Sequence, residues 1–192
     1  AAGGSPPVRG DISAVQLEAV QLRVRDDGAN LAGEIGLQSF TSGRLANLAE
    51  TPVALQASVE LTRPQPVKLA LDGRMTLTLD LDNNAASARG LKLDVQGDAA
   101  GIKGLAAVLD GALAWDGSAL RAGPLNVAVK SGALGGMALA PSTLEVKKLL
   151  YSAGGRRLEL DAMKLALAGK QGGSAIELAL DCAGERFRIS IA

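Results

Sequence analysis

The 192-residue sequence contains no histidine, one cysteine and few aromatic residues, which make up 2 % of the chain. Without histidine the chain lacks the commonest general base, the usual partner of a serine or cysteine nucleophile, and the commonest metal ligand. Cys182 has no second cysteine in the chain to pair with, and its alternating surroundings indicate a small strand residue rather than a reactive thiol. We therefore expect no enzyme activity, no cofactor and no metal site.

The sequence also lacks an excess charge of either sign and any long hydrophobic run. Its 20 Lys and Arg residues balance 20 Asp and Glu residues. Neither that balance nor the scarcity of aromatic rings favours nucleic acid as a partner. No apolar stretch approaches the roughly 20 residues of a membrane-spanning helix. Residues 1–10 (AAGGSPPVRG) predict a disordered lead-in or linker, and 11–192 a single domain.

What the sequence has in abundance is aliphatic residues at every second position. Hydrophobic residues make up 47 % of the chain. Three runs show the alternation clearly: Leu77, Leu79 and Leu81; Leu91, Leu93 and Val95; and Leu125, Val127 and Val129. Because successive side chains of a strand point to opposite faces, each run predicts a strand with one apolar and one polar face. This pattern is typical of antiparallel sheets, so the sequence predicts an all-β fold.

Local signals predict where these strands bend and end. The alternation changes phase at Ala19 and at Ala162, so each position should be a bulge or bend, unless it is itself a turn. At most one or two short helices are expected; Ile102 to Leu109 is the candidate helix, and Arg44 to Leu48 is another possible turn. Prolines 52, 124 and 141 and Pro64-Gln65-Pro66 predict edges or loops. Four turns are expected, at Asp26-Asp27-Gly28, Asp82-Asn83-Asn84, Asp116-Gly117-Ser118 and Ala153-Gly154-Gly155.

Two segments resemble binding motifs but lack the residues that those motifs need. The stretch Asp80 to Asn84 opens like a calcium loop, yet Ala85 and Leu91 stand where such a loop needs glycine and glutamate. The glycine-rich stretch 132–136 lacks the Lys-Ser/Thr ending of a phosphate-binding loop. We interpret the first as a polar hairpin turn, and Trp115 and Tyr151 as residues that pack at hairpin ends.

A loose repeat of roughly 35 residues recurs in segments beginning at Met75, Gly111 and Leu149. Each segment reads as an apolar strand, a small or acidic turn, and a second alternating strand. Since one hairpin is marginally stable in water, such units should lie side by side. The sequence therefore predicts an extended, curved, mostly antiparallel sheet of repeated hairpins, shaped like a groove or taco. The alternative is a closed β-sandwich, whose core the same alternation would fill.

The strand–turn–strand units resemble those of the AsmA family. The resemblance is carried by DISAVQLEAVQLRVRDDGANLAGEIGLQSF from Asp11, by TPVALQASVELTRPQPVKLALDGRMTLTLDLDNNAASARGLKLDVQGD from Thr51, and by LDGALAWDGSALRAGPLNVAVKSG from Leu109. It implies a protein fixed in the inner membrane of Gram-negative bacteria by an N-terminal helix, with its β body in the periplasm. That body resembles bridge-like lipid-transfer proteins and is implicated in phospholipid movement and outer-membrane assembly. This chain lacks the anchor helix, so the resemblance implies a fragment of a longer chain.

Two functions are therefore expected. In the first, the nine alternating residues named above contact phospholipid acyl chains in an aliphatic groove. In the second, the chain is a structural or protein-interaction module of the cell envelope with no lipid site. Exposed sheet edges also predict edge-to-edge self-association.

Overall fold

The computed structural model describes residues 11–28, 30–99, 101–152 and 157–190, and within these ranges the chain forms strands and turns without a helix. The all-β prediction is confirmed for this part of the chain. The predicted lead-in over 1–10 lies outside the described residues. In chain order the strands are β1 (Asp11–Ile12), β2 (Val15–Asp26), β3 (Leu31–Ser42), β4 (Leu45–Ala46), β5 (Glu50–Arg63), β6 (Val67–Asp80), β7 (Ala85–Ala99), β8 (Ile102–Trp115), β9 (Ala119–Leu134), β10 (Met137–Leu139), β11 (Ser142–Ser152), β12 (Arg157–Gln171) and β13 (Ser174–Ser190).

Most of the strands form one long, curved antiparallel sheet. From edge to edge its order is β2-β3-β5-β6-β7-β8-β9-β11-β12-β13, which is the order of the chain. The short strand β10 also pairs with β9 and β12, so it occupies the same position between them as β11. Strands β1 and β4 form a separate two-stranded sheet. An ion pair beside it joins Arg44 Nη2 to Asp11 Oδ2 at 2.6 Å.

The described strands of the long sheet are continuous in their pairing, and its end strands β2 and β13 do not pair with each other. The extensive strand–strand contacts join hydrogen-bonded neighbours.

Both predicted phase changes are backbone irregularities inside strands rather than turns between them. Ala19 and Ala162 have φ values of 54° and 49°, the left-handed region that an L-residue adopts only under local constraint. At Ala162 the register between β12 and β13 shifts between Asp161 and Met163. At Ala19 the register between β2 and β3 continues, with Glu18 opposite Ser39 and Val20 opposite Leu37. The alternation changes phase at both alanines, so the aliphatic side chains on either side of each stay on the same face.

Three of the predicted turns connect strands as expected. Asp27 and Gly28 lie in the β2–β3 turn, Asp82 to Asn84 in the β6–β7 turn, and Asp116 to Ser118 in the β8–β9 turn. The fourth, Ala153-Gly154-Gly155, lies outside the described residues. In the β6–β7 turn, Asn83 donates hydrogen bonds from its backbone N–H to Asp80 Oδ1 (3.1 Å) and from its amide to Asp80 Oδ2 (2.7 Å). This stretch is thus the polar hairpin turn that the sequence indicated.

The helix candidate is wrong, because Ile102 to Leu109 lies in β8. The possible turn at Arg44 to Leu48 holds the short strand β4 and ends in a turn at Leu48. Alternation is hard to recognise in β8 because alanine and valine also occupy its second face, so both faces of the strand carry apolar residues. The strand pairs with β7 on one side and with β9 on the other. Strand pairing on both sides therefore makes this segment a strand, since tertiary context overrides a weak local preference for helix.

Pro52 and Pro124 correct the expectation that proline marks edges or loops, because both lie inside interior strands. The Pro52 carbonyl accepts a hydrogen bond from the Gly43 N–H (3.1 Å), beyond the end of β3. The missing N–H of Pro52 lies on that same side, so the ladder between β5 and β6 stays intact. Pro124 follows Gly123, whose φ is 155°, in a stretch where the register with β8 shifts. An irregular ladder tolerates a missing donor.

Candidate functional site

The strand register sorts the side chains of the sheet onto two faces. One row of directly opposed residues, with one residue from each of the ten consecutive strands β2 to β13 in the sheet order, is wholly hydrophobic apart from one glycine. We call it the central apolar row: Leu17, Phe40, Leu55, Gly73, Leu93, Leu109, Val127, Leu144, Leu165 and Leu180. Since opposed residues of neighbouring strands point to the same face, this row forms a continuous hydrophobic stripe across the sheet.

Shorter rows on the same face run parallel to the central apolar row. Together with it they make up what we call the apolar face. On one side lie Leu71, Val95, Ala107 and Val129. On the other side lie, first, Leu91, Gly111, Leu125, Val146 and Met163, and then Leu77, Ala88, Leu113, Ala122, Leu149 and Leu160.

The structure places seven of the nine predicted contact residues in the rows of the apolar face, and an eighth, Leu79, lies opposite Ala86 on the same side of β6 as Leu77. Leu77 and Leu79 lie in β6, Leu91, Leu93 and Val95 in β7, and Leu125, Val127 and Val129 in β9. Leu81 is the exception, because it lies in the turn after β6.

Sequence reasoning missed other members of the central apolar row. Leu109 lay in the mistaken helix, and Leu55 and Leu144 stood in runs that were not singled out. Alternation signalled all three, and only the pairing of strands shows that they belong together.

Some central residues of the apolar face are buried: Leu91 is 7 % exposed and Val146 8 %. Toward the two edges the same face opens to solvent, with Leu22 of β2 at 57 % and Leu178 of β13 at 52 % exposure. The apolar face is therefore least accessible near its centre and most accessible at its edges.

Two glycines show how closely the leucines of this face approach the backbone. A Cβ on Gly73 would lie 2.9 Å from Leu93 Cδ1 and 3.4 Å from Leu55 Cγ. A Cβ on Gly111 would lie 2.5 Å from Leu125 Cδ2 and 2.7 Å from the Pro124 carbonyl oxygen. At Gly111 a larger residue would clash with the backbone as well as with a leucine, so this packing requires glycine there, whereas at Gly73 the end of the Leu93 side chain would have to move.

The opposite face carries the charges. The row beside the central apolar row contains, in order, Ala54, Arg74, Lys92, Asp110, Asn126, Glu145, Lys164 and Asp181. The Lys164 Nζ and Asp181 Oδ2 atoms lie 3.5 Å apart, and both side chains are more than half exposed. Such exposed ion pairs stabilise the fold by at most about 1 kcal/mol each, so this face serves mainly to interact with water.

A depression of 860 Å³ is lined by charged side chains of both signs and also by Ala88, Leu113, Ala122 and Leu149 of the apolar face. Arg89, Arg121, Lys147 and Lys148 are its cations, and Glu159 and Asp161 its anions. Arg121 Nη1 is already paired with Asp116 Oδ2 at 2.6 Å. Because acids and bases are mixed and the depression is open, it defines no site for one class of ligand.

Asp116 is the one acid with a strongly lowered pKa among the described residues. Its Oδ1 accepts hydrogen bonds from the Ala119 N–H (2.8 Å), the Ser118 hydroxyl (2.9 Å) and the Ser118 N–H (3.1 Å). These bonds, with a smaller contribution from Arg121, lower the pKa of Asp116 to about 2. The carboxylate therefore closes the β8–β9 turn, which is a structural role.

We searched the described residues for chemistry and for membrane spans. They hold no cluster of three or more cysteine and acidic side chains placed to bind a metal ion. Cys182 is a half-buried strand residue opposite Met163, as predicted. Trp115 and Tyr151 both lie opposite Leu120 near the ends of their strands, which fits packing at hairpin ends. Within the described ranges there is no helix of the length and hydrophobicity needed to cross a bilayer.

Comparisons with protein-family models, with curated proteins and with solved structures gave no significant match to this chain.

Proposed function

We propose that this chain is a non-catalytic periplasmic module of an AsmA-like protein, and that its apolar face forms a groove for phospholipid acyl chains. The observation that carries the proposal is the central apolar row, which crosses the sheet from β2 to β13 without a polar side chain. The low exposure of Leu91 and Val146, and the leucines that crowd Gly73 and Gly111, support this face as the inner side of the curved sheet.

The dimensions of the apolar face suit hydrocarbon chains. Neighbouring strands lie about 4.8 Å apart, so the nine spacings between ten ladder positions make the row about 43 Å long. The hydrocarbon core of a bilayer is about 30 Å thick, so the row exceeds the length of two acyl chains end to end. Four parallel rows, about 6.7 Å apart along the strands, give a width of about 20 Å. The three flanking rows contain four to six residues each, so this width applies to the middle of the face.

The chemistry of the face also favours flexible hydrocarbon over a polar ligand. Small-molecule sites combine apolar walls with a few polar groups that fix the orientation of the ligand. The central apolar row offers no polar side chain, so it would bind by apolar contact alone. Because the hydrophobic effect has no directional preference, such a surface accepts chains in many positions. Acyl chains of phospholipids meet these conditions.

The resemblance supplies the location in this proposal: the periplasmic side of the Gram-negative inner membrane, reached through an N-terminal anchor, with a role in lipid transport or outer-membrane assembly. A second candidate is a structural or protein-interaction module of the envelope with no lipid site. It is favoured by the two long edge strands β2 and β13, whose outer sides pair with no strand among the described residues, since exposed edges are the usual place for strand addition.

Lipid extraction tests the proposal against this second candidate. The chain is expressed in a Gram-negative host, purified without detergent and examined by native mass spectrometry and by analysis of extracted lipid. Co-purifying phospholipid, together with saturable binding of a fluorescent fatty acid to the stripped protein, is the expected result. A protein free of lipid that also fails to bind the fluorescent fatty acid would rule out the groove and leave the structural module.

A further inference from the structure

The connection between β3 and β5, residues 43–49, lies against one end of the apolar face, and we call it the strap. It contains the short strand β4. Thr51, near the start of β5, is opposite Leu77 and therefore points to the apolar face. The Thr51 hydroxyl donates a hydrogen bond to the carbonyl oxygen of Arg44 in the strap. The strap backbone thus lies on the same side of the sheet as the aliphatic rows.

The strap covers the side chains next to it. Thr51 is 1 % exposed, and Val53, two residues further along the same face of β5, is 4 % exposed. Leu55, the next residue on this face, is half-buried. Burial along β5 therefore increases toward the strap, and the one polar side chain among these three has its hydroxyl satisfied by the strap.

The covered residues begin rows that continue along the apolar face. The row of Thr51 continues through Leu77 to Ala88 and Leu113. Val53 is opposite Met75 on the same face. A hydrocarbon chain that lay along these rows toward β5 would reach the place that the strap occupies. The strap and such a chain therefore compete for the same surface.

One side chain, Asn47, fastens the strap to the β6–β7 turn. Its amide donates a hydrogen bond to Asp82 Oδ2 (2.9 Å), and its carbonyl oxygen accepts one from the Leu81 N–H (2.8 Å). Beside them, the Leu48 N–H donates to the Leu79 carbonyl oxygen (2.7 Å). Both Asn47 hydrogen bonds are exposed, so water can replace them while the sheet stays folded.

Two further features leave the strap weakly held. Leu48 has a φ of 61°, the left-handed region that strains an L-residue, and its side chain is 64 % exposed, so no burial offsets this strain. Strand β4 pairs with β1 over only two residues of each strand, and small two-stranded sheets are marginally stable in water. A segment of this kind opens at a lower free energy than the sheet beneath it.

We propose that the strap is an autoinhibitory contact. When closed it covers one end of the apolar face, and release of Asn47 uncovers Thr51 and Val53 and so lengthens the surface open to hydrocarbon. The covering of this surface is argued from the contacts of the strap alone, whereas the nature of the ligand rests on the proposed function.

A thiol at position 51 measures whether the strap opens. In the full 192-residue chain carrying Cys182→Ser, Thr51→Cys supplies the single thiol, and its rate of reaction with a maleimide reports exposure. Adding Asn47→Ala removes both side-chain bonds to the turn and should raise this rate at least about ten-fold. The matched control is Asn83→Ala, which removes an amide bond to Asp80 in the same turn but none to the strap. It should change the rate by less than about two-fold.

A second thiol position and a second measurement complete the test. Val146 is 8 % exposed on the apolar face and lies in β11, away from the strap. Asn47→Ala should therefore leave the labelling rate of Val146→Cys, also with Cys182→Ser, within about two-fold. Hydrogen exchange needs no cysteine variant: the Leu48 N–H should exchange at least about ten-fold faster in Asn47→Ala than in the wild type, while N–H groups in the middle of β6 stay unchanged.

Two labelling results would overturn the proposal: no acceleration at Thr51→Cys, or equal acceleration at Thr51→Cys and Val146→Cys, which would indicate general loosening. If Thr51→Cys does not fold, hydrogen exchange decides, and an unchanged Leu48 N–H overturns the proposal.

Titration with a fluorescent fatty acid separates this proposal from the proposed function. Asn47→Ala should bind the fatty acid at least about three-fold more tightly than the wild type, because it uncovers additional apolar surface. A wild type that binds as tightly as Asn47→Ala would overturn the autoinhibitory role. If neither chain binds while labelling at position 51 accelerates, the proposed function fails, and the strap is still supported as a cover of this face.

Discussion

A single charge in the middle of the central apolar row should weaken lipid binding, while the same charge one residue away should not. Val127 lies in this row between Leu109 and Leu144, and Asn126 is the preceding residue on the charged face. Because successive residues of β9 point to opposite faces, Val127→Lys and Asn126→Lys introduce the same side chain on opposite sides of one strand.

The expected effect of Val127→Lys follows from the geometry of the row. An acyl chain lying along the row crosses each strand over about 4.8 Å, the length of roughly four methylene groups. Each buried methylene contributes about 0.8 kcal/mol, so the loss of four contacts costs about 3.2 kcal/mol. That free energy corresponds to roughly 200-fold weaker binding. Asn126→Lys should change the dissociation constant by less than about two-fold, since surface substitutions on the other face remove no apolar contact.

The assay is a titration of the lipid-stripped protein with a fluorescent fatty acid, with circular dichroism to confirm that both variants are folded. A lysine can turn its ammonium group toward water and so reduce the effect. Val127→Asp, whose side chain is too short to do this, should bind at least as weakly as Val127→Lys. If both Val127 variants fold and bind as tightly as Asn126→Lys, the apolar face is not the site.

Three further predictions concern stability. Leu91→Ala should lower the free energy of unfolding by about 2–3 kcal/mol in urea titrations, because its side chain is buried, while Leu22→Ala, at an open edge, should lower it by less than about 1 kcal/mol; equal losses would contradict a covered centre of the face. Gly111→Ala should cost about 1–3 kcal/mol through its clash with backbone and leucine, whereas Gly28→Ala, in an open turn, should stay within about 0.5 kcal/mol; a neutral Gly111→Ala would show that the sheet relaxes there. For Asp116→Ala, the folded pKa of about 2 lies below the ordinary 3.8, so the stabilisation by this carboxylate is complete above pH 3.8 and is lost as the pH falls toward 2. The melting temperature of this variant should therefore lie below that of the wild type at neutral pH and approach it between pH 4 and 2; a constant difference would mean that the carboxylate charge contributes nothing.

Alternation predicted much of the fold because a strand exposes it directly in the sequence. The runs around Leu93 and Val127 are strands in the structure, and the phase changes at Ala19 and Ala162 are irregularities within strands. The predictions from sequence failed where apolar residues occupy both faces of a strand, and where the backbone geometry tolerates a proline inside a strand. The segment Ile102 to Leu109 is a strand because β7 and β9 pair with it, and Pro52 is accepted inside β5 because the neighbouring strand β3 has already ended.

The sequence by itself determined which side chains share a face, since the two-residue period of a strand is a local property of the backbone. It therefore determined the all-β fold and most of the candidate contact residues. Only the tertiary structure decided that the long strands form one continuous sheet, that one apolar row crosses it from Leu17 to Leu180, and that Leu81 lies in a turn. These features depend on register between strands distant in sequence, which is set by pairing and bulges rather than by any one segment.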